Sequence, residues 1–265
     1  MAMPVALSIA GSDSGGGAGV QADIKSFAAL DVYGTSVVTA LTAQNTKGIS
    51  AVHYVPPEFV GAQMDAVFSD FRVAAVKVGM LGNVAIAGAV AAGLERHKAK
   101  NIVLDPVLAA STGADLLHAD AMDALKALMG RVSVVTPNLF EAAALLDSPM
   151  ARDEADMQSQ AKALLALGAG AVLIKGGHGG GTESVDFLVD AEATTRFASP
   201  RIATKNTHGT GCTLASAIAA GLAKGLTLVD AVRDAKSYIS AAIAAADCLG
   251  VGTGNGPLHH FPDRR

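Results

Sequence analysis

The run NTHGTGCTLASAIAAGLAKG, Asn206 to Gly225, places a Gly-Thr-Gly turn directly before an Ala-rich stretch with helical spacing. Such a turn aims backbone N–H groups and the positive end of a helix dipole at one point. Gly209, Thr210 and Gly211 are therefore a candidate anion site. Cys212 follows in the first turn of that helix, where the same field favours a thiolate and is expected to lower its pKa. It becomes a candidate base. A lone cysteine is ordinarily a small buried hydrophobe. The adjacent turn is what singles out Cys212, whereas Cys248, in an Ala-rich helix end, keeps the ordinary reading.

Two carboxylates, Asp105 in DPV and Glu141 in TPNLFE, end neighbouring strands in chain order. Carboxylates so placed could hold Mg²⁺ through water while phosphates supply other ligands; each alone serves as readily as a helix cap or a solvated loop residue. Lys175 ends the apolar run AVLIK and needs an anionic partner there, for which phosphate is the natural choice. Lys236 offers a second such contact or simply a solvated helix face. On the other side of the reaction, Asp23, Gln44 and Met80 could meet above the sheet. A Gln amide carries a donor and an acceptor on one plane, matching a heterocycle edge with a ring nitrogen and an amino group. Met80 would lie against that ring, or fill core. The Gly-rich turn Gly15–Gly19 fits neither G-x-G-x-x-G nor a P-loop, so it either permits a tight turn or binds something else.

Positioning these groups requires a sheet whose strand ends converge. Of 265 residues, 51% are hydrophobic and 17% charged, which excludes intrinsic disorder and suits one α/β domain over 1–265. A net charge of -4 with scattered Lys and Arg argues against nucleic-acid binding. Apolar stretches break well short of the roughly 20 residues of a membrane span. The N-terminus lacks a secretory pattern, and the expected location is the cytosol, with both cysteines reduced. Nearly continuous apolar runs at Val5–Ala10, Thr35–Thr42, Ala74–Val78, Asn101–Asp105, Val132–Thr136 and Ala171–Lys175 predict parallel strands covered on both faces. Helices are expected at Gly19–Leu30, Glu58–Phe68, Asn83–Arg96, Ala119–Leu128, Leu139–Leu146, Asp156–Leu167, Gly211–Lys224 and Leu228–Ala246. An edge hairpin is expected over Ser184–Phe197, and an irregular tail from Gly250. Polar or Gly-rich chemistry follows each strand, including KGGHGGG after the sixth, and ligands of doubly wound sheets bind at those carboxyl ends.

The long first segment IAGSDSGGGAGVQADIKSFAALDVYGTSVVTALTAQNT, then KVGML, DPV, TPN, KGGH and SPRIATKNTHGTGCTLASAIAAGLA, resemble the hydroxymethylpyrimidine/phosphomethylpyrimidine kinases of thiamine biosynthesis. These belong to the ribokinase-like superfamily. Cys in the GTGC turn, where that superfamily generally has Asp, is similar to the pyrimidine kinases. The resemblance implies a mostly parallel sheet with helices on both faces, ATP and Mg²⁺ as cofactors, and a homodimer. It implies pyrimidine contacts at Gly11, Asp23, Gln44 and Met80, an anion hole at Gly209–Gly211, and Cys212 as acid/base. Asp105 and Glu141 would act near Mg²⁺, and Lys175 and Lys236 near the nucleotide. Phe140 stands where the family often has Pro. The expected reaction is phosphorylation of 4-amino-5-hydroxymethyl-2-methylpyrimidine and then of its monophosphate. The alternatives are a vitamin B6 kinase, a cysteine hydrolase using His208 and Cys212, and a non-catalytic vitamin sensor.

Overall fold

Strands covered on both faces must send successive side chains into two different cores. The computed structural model, which describes residues 2–109, 116–177 and 181–263, shows this in β1 (Val5–Asp13). Its Ala6 enters one core, and Leu7 and Ile9 the other. Among the described residues the sheet continues through β2 (Tyr33–Asn45), β3 (Gly48–Tyr54), β4 (Val73–Val78), β5 (Ile102–Leu104), β6 (Val134–Val135), β7 (Val172–Lys175), β8 (Glu183–Val189) and β9 (Thr194–Pro200). The spatial order is β3-β2-β1-β4-β5-β6-β7-β8-β9. Pairing is parallel from β2 to β7 and antiparallel at β2–β3, β7–β8 and β8–β9. This is the ribokinase-like arrangement that the sequence predicts.

One face carries α2 (Pro57–Asp70), α3 (Val84–Arg96), α4 (Met122–Met129), α5 (Leu139–Leu146) and α6 (Glu154–Leu165). Their Met64, Ile86, Leu125, Leu145 and Leu164 join Leu7, Val76 and Leu104 in the first core. The other face carries α1 (Gly19–Ala29), α7 (Thr210–Ala223) and α8 (Leu228–Ala244), packed around Phe27, Ile218 and Ile239. Fully burying one such side chain contributes about 1.5–3 kcal/mol, so these two layers dominate the stability of the scaffold. α7 is buried on every side from Thr213 to Leu222, wedged between sheet and α8. Its small residues make that possible, since a side chain at Gly221 would meet the Ala231 methyl at 2.8 Å.

Two differences from the sequence reading matter for the site. β3 is an additional strand, antiparallel to β2 at the sheet edge, and its half-wet residues give no clean alternation to detect. Its pairing shifts register between Ala43 and Gln44, a bulge that re-aims the end of β2. The expected helix at Ala119–Leu128 begins as a short 3-10 turn, Ala119–Ala121, before α4. The hairpin and the six parallel strands lie where expected. Of the KGGHGGG run, residues 178–180 lie outside the described residues.

Candidate active site

The chain leaves β1 for β2 on one side and reaches β4 on the other, so β1 lies at the topological switch point where crevices form. Above it opens a cleft of about 1160 Å³. That is at the upper end of the roughly 300–1,000 Å³ typical of small-ligand pockets. Eleven of the twelve predicted site residues line it: Gly11, Gln44, Met80, Asp105, Glu141, Lys175, Gly209, Thr210, Gly211, Cys212 and Lys236.

The turn before α7 is built by a left-handed glycine. Gly209 has φ +84°, and a Cβ there would fall 1.9 Å from the Gly17 carbonyl oxygen. The first helical hydrogen bond runs from the Thr213 N–H to the Gly209 carbonyl, and no side chain caps this end. The Gly211 and Cys212 amides precede that bond, and both residues line the cleft. A Cβ at Gly211 would stand 3.3 Å from Lys175 Nζ and 3.5 Å from Asp105 Oδ2, so the turn leans closely on those charges.

Lys175 Nζ bonds Asp105 Oδ1 at 2.9 Å and lies 4.0 Å from Glu141 Oε2. The first expectation to refine is the anionic partner of Lys175: within the chain it is Asp105, brought alongside by parallel strands. Burial works against the Asp105 carboxylate, but Lys175 and Lys77 outweigh it and hold its pKa down. Glu141 is different. Burial, with Asp105 adding, pushes its pKa up to about 7 although Lys175 opposes the shift. Its Oε2 also accepts the Asn138 N–H at 2.7 Å while Asn138 Oδ1 accepts the Glu141 N–H at 2.8 Å, a capping box on α5. Glu141 is thus both cap and cleft carboxylate, and Phe140 before it is 58% exposed and lines the cleft rim. Two carboxylates sharing one cleft ammonium leave negative charge that suits a hard divalent cation. Among the described residues no third His, Cys, Asp or Glu joins them in a metal-binding group.

Cys212 corrects a second expectation. Burial raises its pKa to about 11, and Asp105 and Asp23 add to that, while Lys77 and the Gly19 N–H pull the other way. The thiol is protonated at rest. Asp23 is the third correction: it does not line the cleft. It is fully buried beneath the floor, 2.9 Å from Lys77 Nζ, and it accepts hydroxyl protons from Ser8 and Ser216. Burial disfavours the Lys77 ammonium, but Asp23 overcomes this and raises its pKa. The sequence reading gave Lys77 no role; an unaccompanied lysine inside the apolar strand AAVKV was the available signal.

At the far end, the β2 bulge sets Gln44 into the cleft, and Met80 packs on Gly11, where a Cβ would lie 2.9 Å from Met80 Sδ. The Gly-rich turn proves to be held by its own chain. Asp13 accepts the Gly15, Gly17 and Ala18 N–H groups at 2.7, 3.0 and 2.9 Å, so these donors are already satisfied within the chain. Its Oδ2 also lies 2.8 Å from His208 Nε2. Neither Asp13 nor His208 was given a site role from the sequence, apart from the hydrolase alternative. Lys236 Nζ bonds Asp186 at 2.6 Å and Ser184 at 3.2 Å on the cleft wall.

A doubly wound sheet with an uncapped glycine turn, a buried Lys–carboxylate cluster and a large cleft defines a ribokinase-like small-molecule kinase, a phosphotransferase. The chain belongs to the phosphomethylpyrimidine kinase family, whose profile matches residues 13–259. It is 56% identical over 258 residues to the hydroxymethylpyrimidine/phosphomethylpyrimidine kinase of Rhizobium meliloti, covering 97% of each chain. Among solved structures it is similar to Bacillus subtilis pyridoxal kinase in its ADP complex, with TM-score 0.92, 36% identity and 99% of each chain covered. It is also similar to phosphomethylpyrimidine kinase from Clostridium difficile, with TM-score 0.81, 39% identity, and 91% of this chain and 99% of that one covered.

Proposed function

We propose that this enzyme transfers the γ-phosphoryl group of ATP to the hydroxymethyl oxygen of 4-amino-5-hydroxymethyl-2-methylpyrimidine, and then phosphorylates the monophosphate to the diphosphate, within thiamine biosynthesis. The observation that carries this reading is the meeting of Cys212, the Gly209–Gly211 turn, the Lys175–Asp105–Glu141 cluster and Gln44 in one cleft. The names of the relatives, read with that cleft, select the pyrimidine. A cytosolic homodimer using Mg²⁺ is the form we assign, following the family resemblance.

Phosphoryl transfer asks the protein for position and charge stabilisation above all. The amides at the start of α7 would face the transferred oxygens, with Lys175 on the same side through its proximity to Gly211. Asp105 and Glu141 would hold Mg²⁺, which when bound neutralises charge on the phosphates. Gln44 orients the ring, and Met80 lies against it. Cys212 takes the alcohol proton. Because the transition state is loose, that proton leaves late, and a thiol resting protonated can serve through its small thiolate fraction. The second step differs, since a phosphate monoester is already mostly ionised near neutral pH.

Cys212→Ala should slow the first phosphorylation by about 10²- to 10⁴-fold and spare the second, measured by separating products from single turnovers. With the thiol pKa near 11, the thiolate fraction and the ratio of first- to second-step rates should climb as pH rises from neutrality. Equal losses in the two steps would remove Cys212 from the role of base. One observation favours a second substrate reading: the pyridoxal kinase fold overlays this chain along its whole length. Incubation with Mg-ATP and either the pyrimidine alcohol or pyridoxine, with products identified by mass, decides between them; phosphorylation of pyridoxine alone would overturn the pyrimidine assignment.

A further inference from the structure

His208 sits at the pyrimidine end of the cleft, nine-tenths buried, with its ring against the Gly17 backbone. A Cβ at Gly17 would meet His208 Cδ2 at 2.5 Å, so this glycine exists to admit the imidazole. The ring is also tied through its backbone, the His208 N–H donating to the Gly256 carbonyl at 3.1 Å. What it reaches is Gln44. One arm of the Gln44 amide lies 3.4 Å from His208 Nε2, and the other lies 2.9 Å from Thr42 Oγ1.

Proton counting decides which arm is which, because the oxygen and nitrogen of an amide are alike in size. Thr42 has one hydroxyl proton, and the Ser12 carbonyl, 2.9 Å away, can only accept it. Thr42 is then left to accept from Gln44. Asp13 Oδ2, 2.8 Å from His208 Nε2, belongs to a carboxylate whose pKa is held down; burial resists this, but His208 and the Gly15 N–H outweigh it. An ionised carboxylate only accepts, so His208 Nε2 carries the proton and gives it chiefly to Asp13; the Gln44 arm 3.4 Å away must then be the acceptor, because a second donor there would be repelled. The two neighbours agree on one orientation, with the amide nitrogen toward Thr42 and the carbonyl oxygen toward His208; the amide as placed, with Nε2 toward His208 and Oε1 toward Thr42, sets donor against donor and is turned over by this count.

We propose that His208, anchored on Asp13, is a positioning residue that with Thr42 locks the Gln44 amide in this orientation and thereby sets which way round the heterocycle binds. The inference rests on the functional reading above for the identity of the ring. Each amide arm retains one unused site: a lone pair on oxygen and a proton on nitrogen. An aminopyrimidine places its amino group on the former and its ring nitrogen on the latter. A reversed amide opposes donor to donor and acceptor to acceptor, and turns the hydroxymethyl group away from Cys212.

The test is a double-mutant cycle on the full-length enzyme, reading KM and kcat for the first phosphorylation. His208→Leu should raise KM for the pyrimidine alcohol about tenfold with kcat changed less than about threefold, the effect of one or two lost hydrogen bonds. In a Gln44→Ala background the same substitution should change KM by less than about twofold, because its partner is gone. His208→Gln, whose side-chain N–H₂ reaches about as far as the imidazole Nε2, should keep KM within about threefold of the parent. Should His208→Leu fail to fold, Thr42→Val interrogates the other arm by the same cycle. Equal KM increases in both backgrounds, or no rescue by His208→Gln, would overturn the proposal. If the parent enzyme accepts only pyridoxine, the pyrimidine assignment falls, while the coupling measured on pyridoxine still decides the role of His208.

Discussion

Two lysine–carboxylate groups stand on the same side of the sheet, one beneath the cleft and one on its wall, and they are built to opposite ends. Lys77 and Asp23 are both fully buried; one ammonium faces one carboxylate, and the hydroxyls of Ser8 and Ser216 complete the carboxylate's bonding. Lys175 instead faces two carboxylates and touches the cleft, and Glu141 is left with a pKa raised to about 7. A balanced, sealed pair holds α1 and α7 to the sheet. An unbalanced, open cluster retains charge with which to receive a ligand. Cys212 lies between them, drawn toward thiolate by Lys77 and away from it by Asp105 and Asp23.

The contrast breaks most readily at Lys77. Lys77→Met should cost about 3–5 kcal/mol in denaturant unfolding, because it strands a buried charge on Asp23. Lys77→Met combined with Asp23→Leu should recover much of that loss. A double variant that is stable yet inactive would show that the sealed pair also serves the chemistry, and the distinction would fail. Next in size, Lys175→Met should lower kcat of both phosphorylations by about 10²- to 10³-fold, with a smaller change in melting temperature than Lys77→Met. A variant that mainly unfolds would place Lys175 with Lys77.

The smallest expected effect sharpens the comparison through pH. A carboxyl whose folded pKa of about 7 stands above its ordinary 4.5 holds more protons folded than unfolded between those values. The ligand-free protein should therefore lose on the order of 2 kcal/mol from this group as pH rises from about 4.5 to 7. Glu141→Gln should flatten that slope in unfolding titrations. An unchanged slope would mean that Lys175 neutralises Glu141 fully.

How far the sequence reaches can be judged from particular residues. The parallel strands were legible because burial on both faces makes each a nearly continuous apolar run, whereas the half-wet edge strand β3 left no such mark. Missing β3 meant missing the bulge that aims Gln44. The Gly209–Cys212 turn was legible because helix-start chemistry is local. The partners of Asp23 and Asp13 were not, since Lys77 and His208 lie 54 and 195 residues away along the chain.

The sequence by itself determined the α/β scaffold, the glycine turn that opens α7 and the strand ends where polar groups gather, because each depends on periodicity or on neighbours a few residues apart. Tertiary structure alone decided which charges meet. It buried Asp23 instead of exposing it, gave Lys175 a carboxylate at rest and turned the expected low pKa of Cys212 into a high one. The reason is electrostatic: a charge's environment is set by desolvation and by whatever lies within a few ångströms, and distant strands, not adjacent residues, supply both.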